Sequence, residues 1–384
     1  MLWFWLLVGP ALVLAILSLR GERKRAAYVA RRLWDTSTAV LPPATVIVPV
    51  KGEDHGLREN LAALASQDYP DYELIVVAQS AADIPAGVLP ARVRVVFAHE
   101  DDPETGEKVR NLRTAVRFAR RNSQVLAFAD SDGRVSRHWL RSLVSPLAEE
   151  GVGASTGYRW YAPQPPDFWS LMRSVWDSVI AGTFGPGSNA FAWGGSMAIT
   201  RQAFQEIHVQ DFWRRTVSDD YALSAAVHRA GLRIVFAPGA IAVASDRVRA
   251  WAFLSWGRRQ MTITRVYRPF LWWTALLAHI FYCGGMAAAV IASFLGNRGA
   301  EWALVAQLSI GMLKGANRAA LAKAELPEHK AWFDRHAWVH TLWVPLATWI
   351  WLLVLAASAF GKQIDWRGNR YQLKRCEPPS VNCP

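Results

Sequence analysis

Two carboxylates one residue apart stand in Asp130-Ser131-Asp132-Gly133, directly after the apolar run Val125–Ala129. Such a pair offers hard oxygen ligands, which suit a divalent cation that keeps some waters and a diphosphate. The apolar run fits a buried strand of a parallel sheet, and open α/β sheets bind ligands beyond the carboxyl ends of such strands. A solvated turn uses the same residue types, so the pair takes its meaning from its surroundings. Asp83 follows a second apolar run, Tyr72–Ala78, and Asp220 opens a helical segment in Ser218-Asp219-Asp220-Tyr221. On one rim, these acids can divide the work of a group transfer from a nucleotide donor. Asp130 and Asp132 would hold Mg2+ or Mn2+ as a Lewis acid against the departing diphosphate. Asp83 would contact the nucleoside. Asp220 would take the proton of an acceptor hydroxyl, although the dipole at a helix N-terminus lowers the basicity of an acid there. An acid at a helix start also stabilises its helix with no chemistry at all. Lys108 would contact the donor's phosphates or sugar. Arg258, Arg259 and Arg265, with Gln260 among them, would clamp diphosphate or face the acceptor. The same arginines also serve as the positive flank of the apolar segment that follows.

The elements that must position these residues can be read in order. Ala44–Val50 reads as a strand, with the loop Lys51-Gly52-Glu53-Asp54 at its carboxyl end. Leu57–Ser66 has helical spacing and stops at Asp68-Tyr69-Pro70. Tyr72–Ala78 and Arg92–Ala98 are two further strands, followed by the acidic loop Glu100–Glu104 and a basic helix over Leu112–Arg121. Strand and helix repeating in this way predict a mostly parallel sheet with right-handed crossovers. Further on, Phe168, Trp169, Met172, Trp176, Val179 and Ile180 recur at helical spacing, which suits either a core-facing helix or one at a membrane surface. Trp193-Gly194-Gly195-Ser196-Met197 is a tight turn before a short strand, Met197–Ile199. A helix over Ala222–Ala230, capped by Gly231, leads to a strand over Arg233–Ala237.

Composition adds a membrane. Of 384 residues 52% are hydrophobic, and the 20 Trp suit a membrane interface, where indoles anchor. The net charge of +12 fits anionic lipid or phosphate. No zinc-finger spacing or RNA-binding aromatic signature accompanies that charge, which argues against nucleic acid. Met1–Leu19 is almost uncharged and about long enough to span a bilayer. Arg20, Arg23, Lys24, Arg25, Arg31 and Arg32 follow it, so the positive-inside rule places the next domain in the cytoplasm. Leu271–Leu295 and Ala337–Phe360 read as further spans. Trp302–Leu321 carries Lys314 and Arg318 and reads as interfacial or re-entrant. The expected organisation is an anchor over 1–19, a basic linker over 20–43, an α/β domain over 44–268, a membrane region over 269–361 and a basic tail over 362–384. Cys283, Cys376 and Cys383 fit no metal site or disulfide framework.

Several short motifs in this order resemble the inverting glycosyltransferases of the large family 2 type. They are Pro49-Val50-Lys51-Gly52-Glu53-Asp54, Asp68-Tyr69-Pro70-Asp71-Tyr72-Glu73, Gln79 with Asp83, Lys108 with Asn111-Leu112, Asp130-Ser131-Asp132, Asp219-Asp220-Tyr221 and the tail segment Trp366-Arg367-Gly368-Asn369-Arg370-Tyr371. Within that group the chain is most similar to the ceramide glucosyltransferases and their bacterial lipid-glycosylating relatives. The resemblance implies a GT-A fold and transfer of one sugar from a UDP-sugar, UDP-glucose being the leading candidate, to a lipid hydroxyl with inversion. It makes Asp83 the nucleoside aspartate, Asp130 part of the metal motif and Asp220 the base. Lys51 and Lys108 join them in the donor site. The (Gln/Arg)-x-x-Arg-Trp motif of polymerising relatives is reduced here to Arg258-Arg259-Gln260-Met261-Thr262, without its Trp. That departure argues against the first rival, a polysaccharide synthase. The second rival is a catalytically silent membrane scaffold, against which the retained acids speak.

Overall fold

Alternation along the first strands decides the architecture. On β1 (Ala44–Pro49), Ile47 points to one side of the sheet while Val46 and Val48 point to the other, and all three are fully buried. A strand covered on both faces needs helices on both, and the chain supplies them. The computed structural model describes residues 4–33, 41–99, 102–187 and 190–374. Residues 34–40 of the expected linker, Glu100 and Asp101 of the expected acidic loop, and Cys376 and Cys383 lie outside them.

The described chain forms two compact units. One comprises Arg31–Trp160, Phe184–Ser245 and Gln363–Pro384; the other comprises Met1–Ala30, Tyr161–Thr183 and Asp246–Lys362. The first is an α/β unit. Its strands are β1, β2 (Tyr72–Ala78), β3 (Arg94–Phe97), β4 (Val125–Ala129), β5 (Arg134–Val135), β6 (Val152–Tyr161), β7 (Ser196–Thr200) and β8 (Arg233–Ala244), in the order β3-β2-β1-β4-β7-β6-β8-β5. The first four run parallel. β7 then pairs antiparallel with β4, and β6 with β7, so the sheet is mixed and only its N-terminal half is parallel. One face is covered by the helices Glu107–Phe118 and Asp219–Arg229, which bury Val109, Leu112, Leu223 and Val227 against Ile47 and Phe128. Leu57–Ala65 and Trp139–Val144 cover the other, with Leu61, Leu64 and Trp139 against Val46 and Ala127.

Most element ends differ from the sequence expectation by a few residues, and three differences bear on the site. The helix expected from Leu112 begins at Glu107, which places Lys108 in its first turn. β8 runs through Pro238-Gly239 to Ala244, where the pair reads as a stop. It lies next to the sheet edge, and edge-side positions tolerate the missing N–H of a proline. The third difference is β6, ten residues long in a stretch where no strand was expected.

A hairpin of β9 (Gln363–Trp366) and β10 (Asn369–Gln372) completes the α/β unit. Its two-residue turn puts both Arg367 (φ 47°) and Gly368 (φ 82°) in the left-handed region. Hairpin turns of this kind want φ > 0 at both central positions. A glycine takes that at no cost; an arginine does not.

The second unit is helical. Trp5–Leu33 and Pro269–Phe294 are long and apolar enough to cross a membrane. The first continues as helix well into the expected basic linker, and there Glu22 and Arg25 are buried in ion pairs with Arg318 (2.5 Å) and Glu325 (3.0 Å) of the helix Arg298–Glu325. The expected span over 337–360 is broken into Val339–Leu342 and Val344–Ser358, and the 15-residue remainder is short for a bilayer, which takes about 20 residues.

Because β9 and β10 belong to the same unit as β1–β8, the hairpin and the α/β sheet are expected on one side of any membrane, which requires an even number of crossings between them. A cysteine at exposed Gln202 (Gln202→Cys, with Cys376 and Cys383 changed to Ser) and the native tail cysteines should therefore give the same result with an impermeant maleimide in intact cells. Labelling of one site and not the other would refute the common side.

Candidate active site

β4 ends at Ala129, and the chain turns through Asp130-Ser131-Asp132 at the carboxyl end of the parallel half. Two cations meet these acids. Lys108 Nζ lies 2.8 Å from Asp130 Oδ1 and 3.1 Å from Asp219 Oδ1. Arg159, near the carboxyl end of β6, donates from Nη2 to Asp130 Oδ2 (3.1 Å) and to Asp132 Oδ1, and from Nη1 to Asp132 Oδ2 (3.0 Å). One planar fork thus spans both carboxylates of the turn. Its guanidinium also lies 4.9 Å from the ring of Trp193.

The turn Trp193-Gly194-Gly195-Ser196 closes the floor. Gly195 O accepts from Asp130 N (3.4 Å), and Gly194 N donates to Asp220 Oδ2 (3.2 Å). Neither glycine can carry a side chain. A Cβ at Gly194 would meet Asp219 Oδ2 at 2.6 Å, and one at Gly195 would meet Asp130 Oδ2 at 2.7 Å.

Asp219 and Asp220 point different ways, as neighbours on a helix must. Asp220 accepts from Gly194 N, Tyr221 N (2.7 Å) and the Ser218 hydroxyl, and it remains partly open to solvent. Asp219 is buried, and its Oδ2 has no hydrogen-bond partner among the described residues. Burial pushes its pKa up to about 6; Lys108 opposes that, while Asp220 and Asp130 add to it. Asp130 goes the other way: burial would raise it, but Lys108, Arg159 and Arg367 together hold it below the usual carboxylate range. Asp132 is raised by burial, which Arg159 opposes and Asp130 and Asp54 reinforce. Burial favours neutral Lys108, but Asp130 and Asp219 outweigh it and hold the ammonium charged.

The rim is built from the β1 loop and the tail. Asp54 accepts from Ser131 Oγ (2.5 Å) and Arg367 Nη2 (2.6 Å), and Arg367 Nη1 donates to Lys51 O (2.6 Å). Glu107 binds the Lys51 ammonium and Asn369 Nδ2 (2.7 Å), and its N–H donates to Tyr371 Oη (3.2 Å). Asp83 lies on the adjoining loop: its carboxylate caps its own turn through Ser80 N and Oγ (2.9 Å each), and its carbonyl accepts from Gly52 N (2.7 Å).

Of the residues singled out from sequence, Lys108, Asp130, Asp132 and Asp220 come together in one place, with Lys51 and Asp83 on the neighbouring loops. Arg258, Arg259, Gln260 and Arg265 lie in the helical unit, on the helix Ala250–Tyr267. There Arg258 Nε donates to Ala357 O (3.2 Å) and Arg265 to Gly361 O. Sequence reasoning missed Arg159, Asp54, Glu107 and the tail's Arg367 and Asn369 as site residues. For Arg367 a signal existed in the tail motif; for Arg159 only the β-rich pattern of residues 152–161 was available.

The donor set fits a divalent cation. Its two turn carboxylates already converge on one positive group. With all acids ionised, five carboxylates (Asp54, Asp130, Asp132, Asp219, Asp220) face three fixed cations (Lys108, Arg159, Arg367), leaving two negative charges over. Two hard carboxylates suffice for Mg2+ or Mn2+ when phosphate and water fill the other positions.

A family model described as Glycosyl transferase family 21 matches residues 3–377. Glycosyltransferase AglE of Haloferax volcanii is 31% identical over 121 residues, which are 30% of this chain and 38% of that protein, so less than half of that relative is spanned. The mannosyltransferase PcManGT of Pyrobaculum calidifontis, solved with GDP-Man and Mn2+, superposes with a TM-score of 0.46 at 18% identity, over 92% of this chain and 97% of that one. Glucosyl-3-phosphoglycerate synthase of Mycobacterium tuberculosis, solved with Mn2+ and UDP-glucose, gives 0.39 at 18% identity, over 58% and 78%.

The raised Asp219 makes a stability prediction. A carboxyl whose folded pKa exceeds its unfolded value stabilises fully below the unfolded pKa and loses that contribution as pH rises through the folded one. The contribution of Asp219 is therefore complete below about pH 4 and lost as pH rises through about 6. Asp219→Asn should remove this dependence, so its Tm relative to the parent should improve between pH 4 and 7 by the equivalent of ~1–3 kcal/mol. A pH-independent Tm difference, read by calorimetry, would contradict the assignment.

Proposed function

The chain belongs to glycosyl transferase family 21 and is a glycosyltransferase with a GT-A-like α/β fold, and from that premise we propose that it transfers a single sugar from a UDP-sugar, UDP-glucose first among them, to a lipid hydroxyl with inversion. The observation that carries the reading is the meeting of Asp130, Asp132, Lys108 and Asp220 at the carboxyl end of β4. Asp220 takes the proton of the acceptor hydroxyl. The acceptor oxygen forms a bond to the anomeric carbon as the bond from that carbon to the diphosphate oxygen breaks, and UDP leaves with the electron pair. Mg2+ or Mn2+, held by Asp130 and Asp132, supplies Lewis-acid neutralisation of the leaving diphosphate. Lys108 reaches Asp130, Asp219 and Gly194 O, and from that position it holds the acids in place and faces the donor's phosphates. Asp83, Lys51 and the β1 loop line the nucleoside end. Arg258, Arg259, Gln260 and Arg265 serve the diphosphate or the acceptor.

A lipid acceptor is supported by the two helices long and apolar enough to cross a membrane, the 20 Trp and the charge of +12. The protein is then a multi-pass membrane enzyme with its α/β unit in the cytoplasm, where UDP-sugars are. The missing Trp at 262 favours one transfer over polymerisation. Lipid mass spectrometry of cells with and without the protein should show one hexosylated lipid that depends on it. Label from UDP-glucose recovered only in polymer would overturn the reading.

Two mutational outcomes follow. Asp220→Asn keeps the shape but loses the base, so kcat should fall about 10²–10⁴-fold while UDP binding by calorimetry is retained. Asp219→Asn, away from the acceptor, should cost less. Normal turnover in Asp220→Asn with a dead Asp219→Asn would transfer the role to Asp219. Asp130→Asn and Asp132→Asn should each abolish or severely reduce transfer, as EDTA should in the parent. Undiminished transfer in EDTA would remove the metal from the mechanism.

A further inference from the structure

Asp130 and Asp132 can hold a metal only if their oxygens are available, and in this structure a side chain of the protein already holds them. Arg159 makes three hydrogen bonds to the two carboxylates, and both oxygens of Asp132 are taken by its fork. Its side chain is 11% exposed. It arrives from a strand rather than a loop, three residues past the stretch of β6 that pairs with β7. A guanidinium and a divalent cation compete for the same carboxylate oxygens, because the fork fills lone pairs that a metal would use and the two positive charges repel. Asp132 becomes a strong metal ligand when the fork turns away.

The structure offers it a place to turn. The guanidinium already lies over Trp193, 4.9 Å from the ring, and an aromatic face stabilises a cation that loses its carboxylate. What a planar fork seeks next is another bidentate oxyanion, and phosphate is one. A nucleoside diphosphate brings oxygens for both the metal and the arginine. Metal alone brings none to replace the carboxylates that Arg159 gives up. Lys108 does not face the same exchange: it touches Asp130 through Oδ1 only and keeps Asp219.

We propose that Arg159 is a resident counter-cation that occupies the Asp130–Asp132 pair until a nucleoside diphosphate draws its guanidinium away, so that divalent metal and nucleotide bind as a coupled pair. Arg159 is a positioning residue in this scheme, acting through the two carboxylates. The inference rests on the reading of Asp130 and Asp132 as metal ligands. Linkage makes the coupling reciprocal: nucleotide raises metal affinity by the same factor as metal raises nucleotide affinity.

The test reads metal, not transfer. Full-length protein in detergent is titrated with Mn2+, free Mn2+ being followed by its paramagnetic resonance signal, with and without UDP and, separately, GDP. The parent should bind Mn2+ weakly alone and at least about tenfold more tightly with either nucleotide, a coupling of ordinary allosteric size. Arg159→Gln frees the carboxylates, so it should bind Mn2+ alone about tenfold or more tightly than the parent, and the nucleotide effect should shrink. Arg159→Lys keeps the charge but not the fork, so it should fall between them and guards against a neutral variant that fails to fold; near-ultraviolet circular dichroism checks both. If folded Arg159→Gln binds Mn2+ alone no more tightly than the parent, the proposal is overturned while the metal site stands. If no form binds Mn2+ under any condition, the metal ligands and the proposal fall together. Coupled Mn2+ binding in a protein that glycosylates no lipid would instead support the proposal and overturn only the lipid acceptor.

Discussion

The site depends on one constraint: carboxylates grouped at the end of a buried strand must be matched by cations that the protein itself supplies. Lys108 and Arg159 meet it, one from the first turn of a helix and one from the last third of a strand. Each is itself largely buried, so it gives up water to reach the acids, and only a close ion pair compensates a buried charge. The rest of the α/β unit can be read as the means of delivering these two side chains. The helix must begin at Glu107 to set Lys108 under Asp130. The sheet must turn antiparallel after β4, because that brings β7, and beyond it β6 with Arg159, alongside the turn. The glycines of the 194–195 turn then let backbone pass where any Cβ would strike a carboxylate.

Much of this was legible in the sequence, for physical reasons. β2 and β4 match their expected ranges residue for residue, because an apolar run between polar turns has no other stable reading in a sheet covered on both faces. Asp83, Asp130, Asp132 and Asp220 were expected on one rim because strand ends and helix starts of an α/β fold fall there; Asp130, Asp132 and Asp220 do come together, and Asp83 lies on the adjoining loop. Arg159 was not expected there, since nothing in the order of residues says which cation will meet which anion once β6 is placed one strand away from β4. β8 was read as ending at Ala237, just before Pro238-Gly239, and the sheet carries it on to Ala244. The helical unit was the least legible part. An uncharged stretch predicts a helix but not its length, and two buried ion pairs extend the first helix past the point where its charges suggested a linker.

The two adjacent acids show how one helix start can serve two ends. Ser218 caps the helix, Asp220 completes the cap while keeping one face open, and Asp219 is turned inward against Lys108. One helix start thus presents one carboxylate partly to solvent and locks the other to an ammonium.

The tail hairpin has a consequence for how the protein is made. Arg367, Asn369 and Tyr371 secure loops that were synthesised more than 260 residues earlier, with the helices over 250–358 translated in between. While the ribosome is still producing those helices, the sheet can be complete, yet Asp54 and Glu107 have no hairpin to hold them. The rim closes only when residue 372 has emerged. Assembly of the acidic site is thereby tied to completion of the helical unit, and a nascent chain that stalls within those helices carries a folded sheet with an unfinished site.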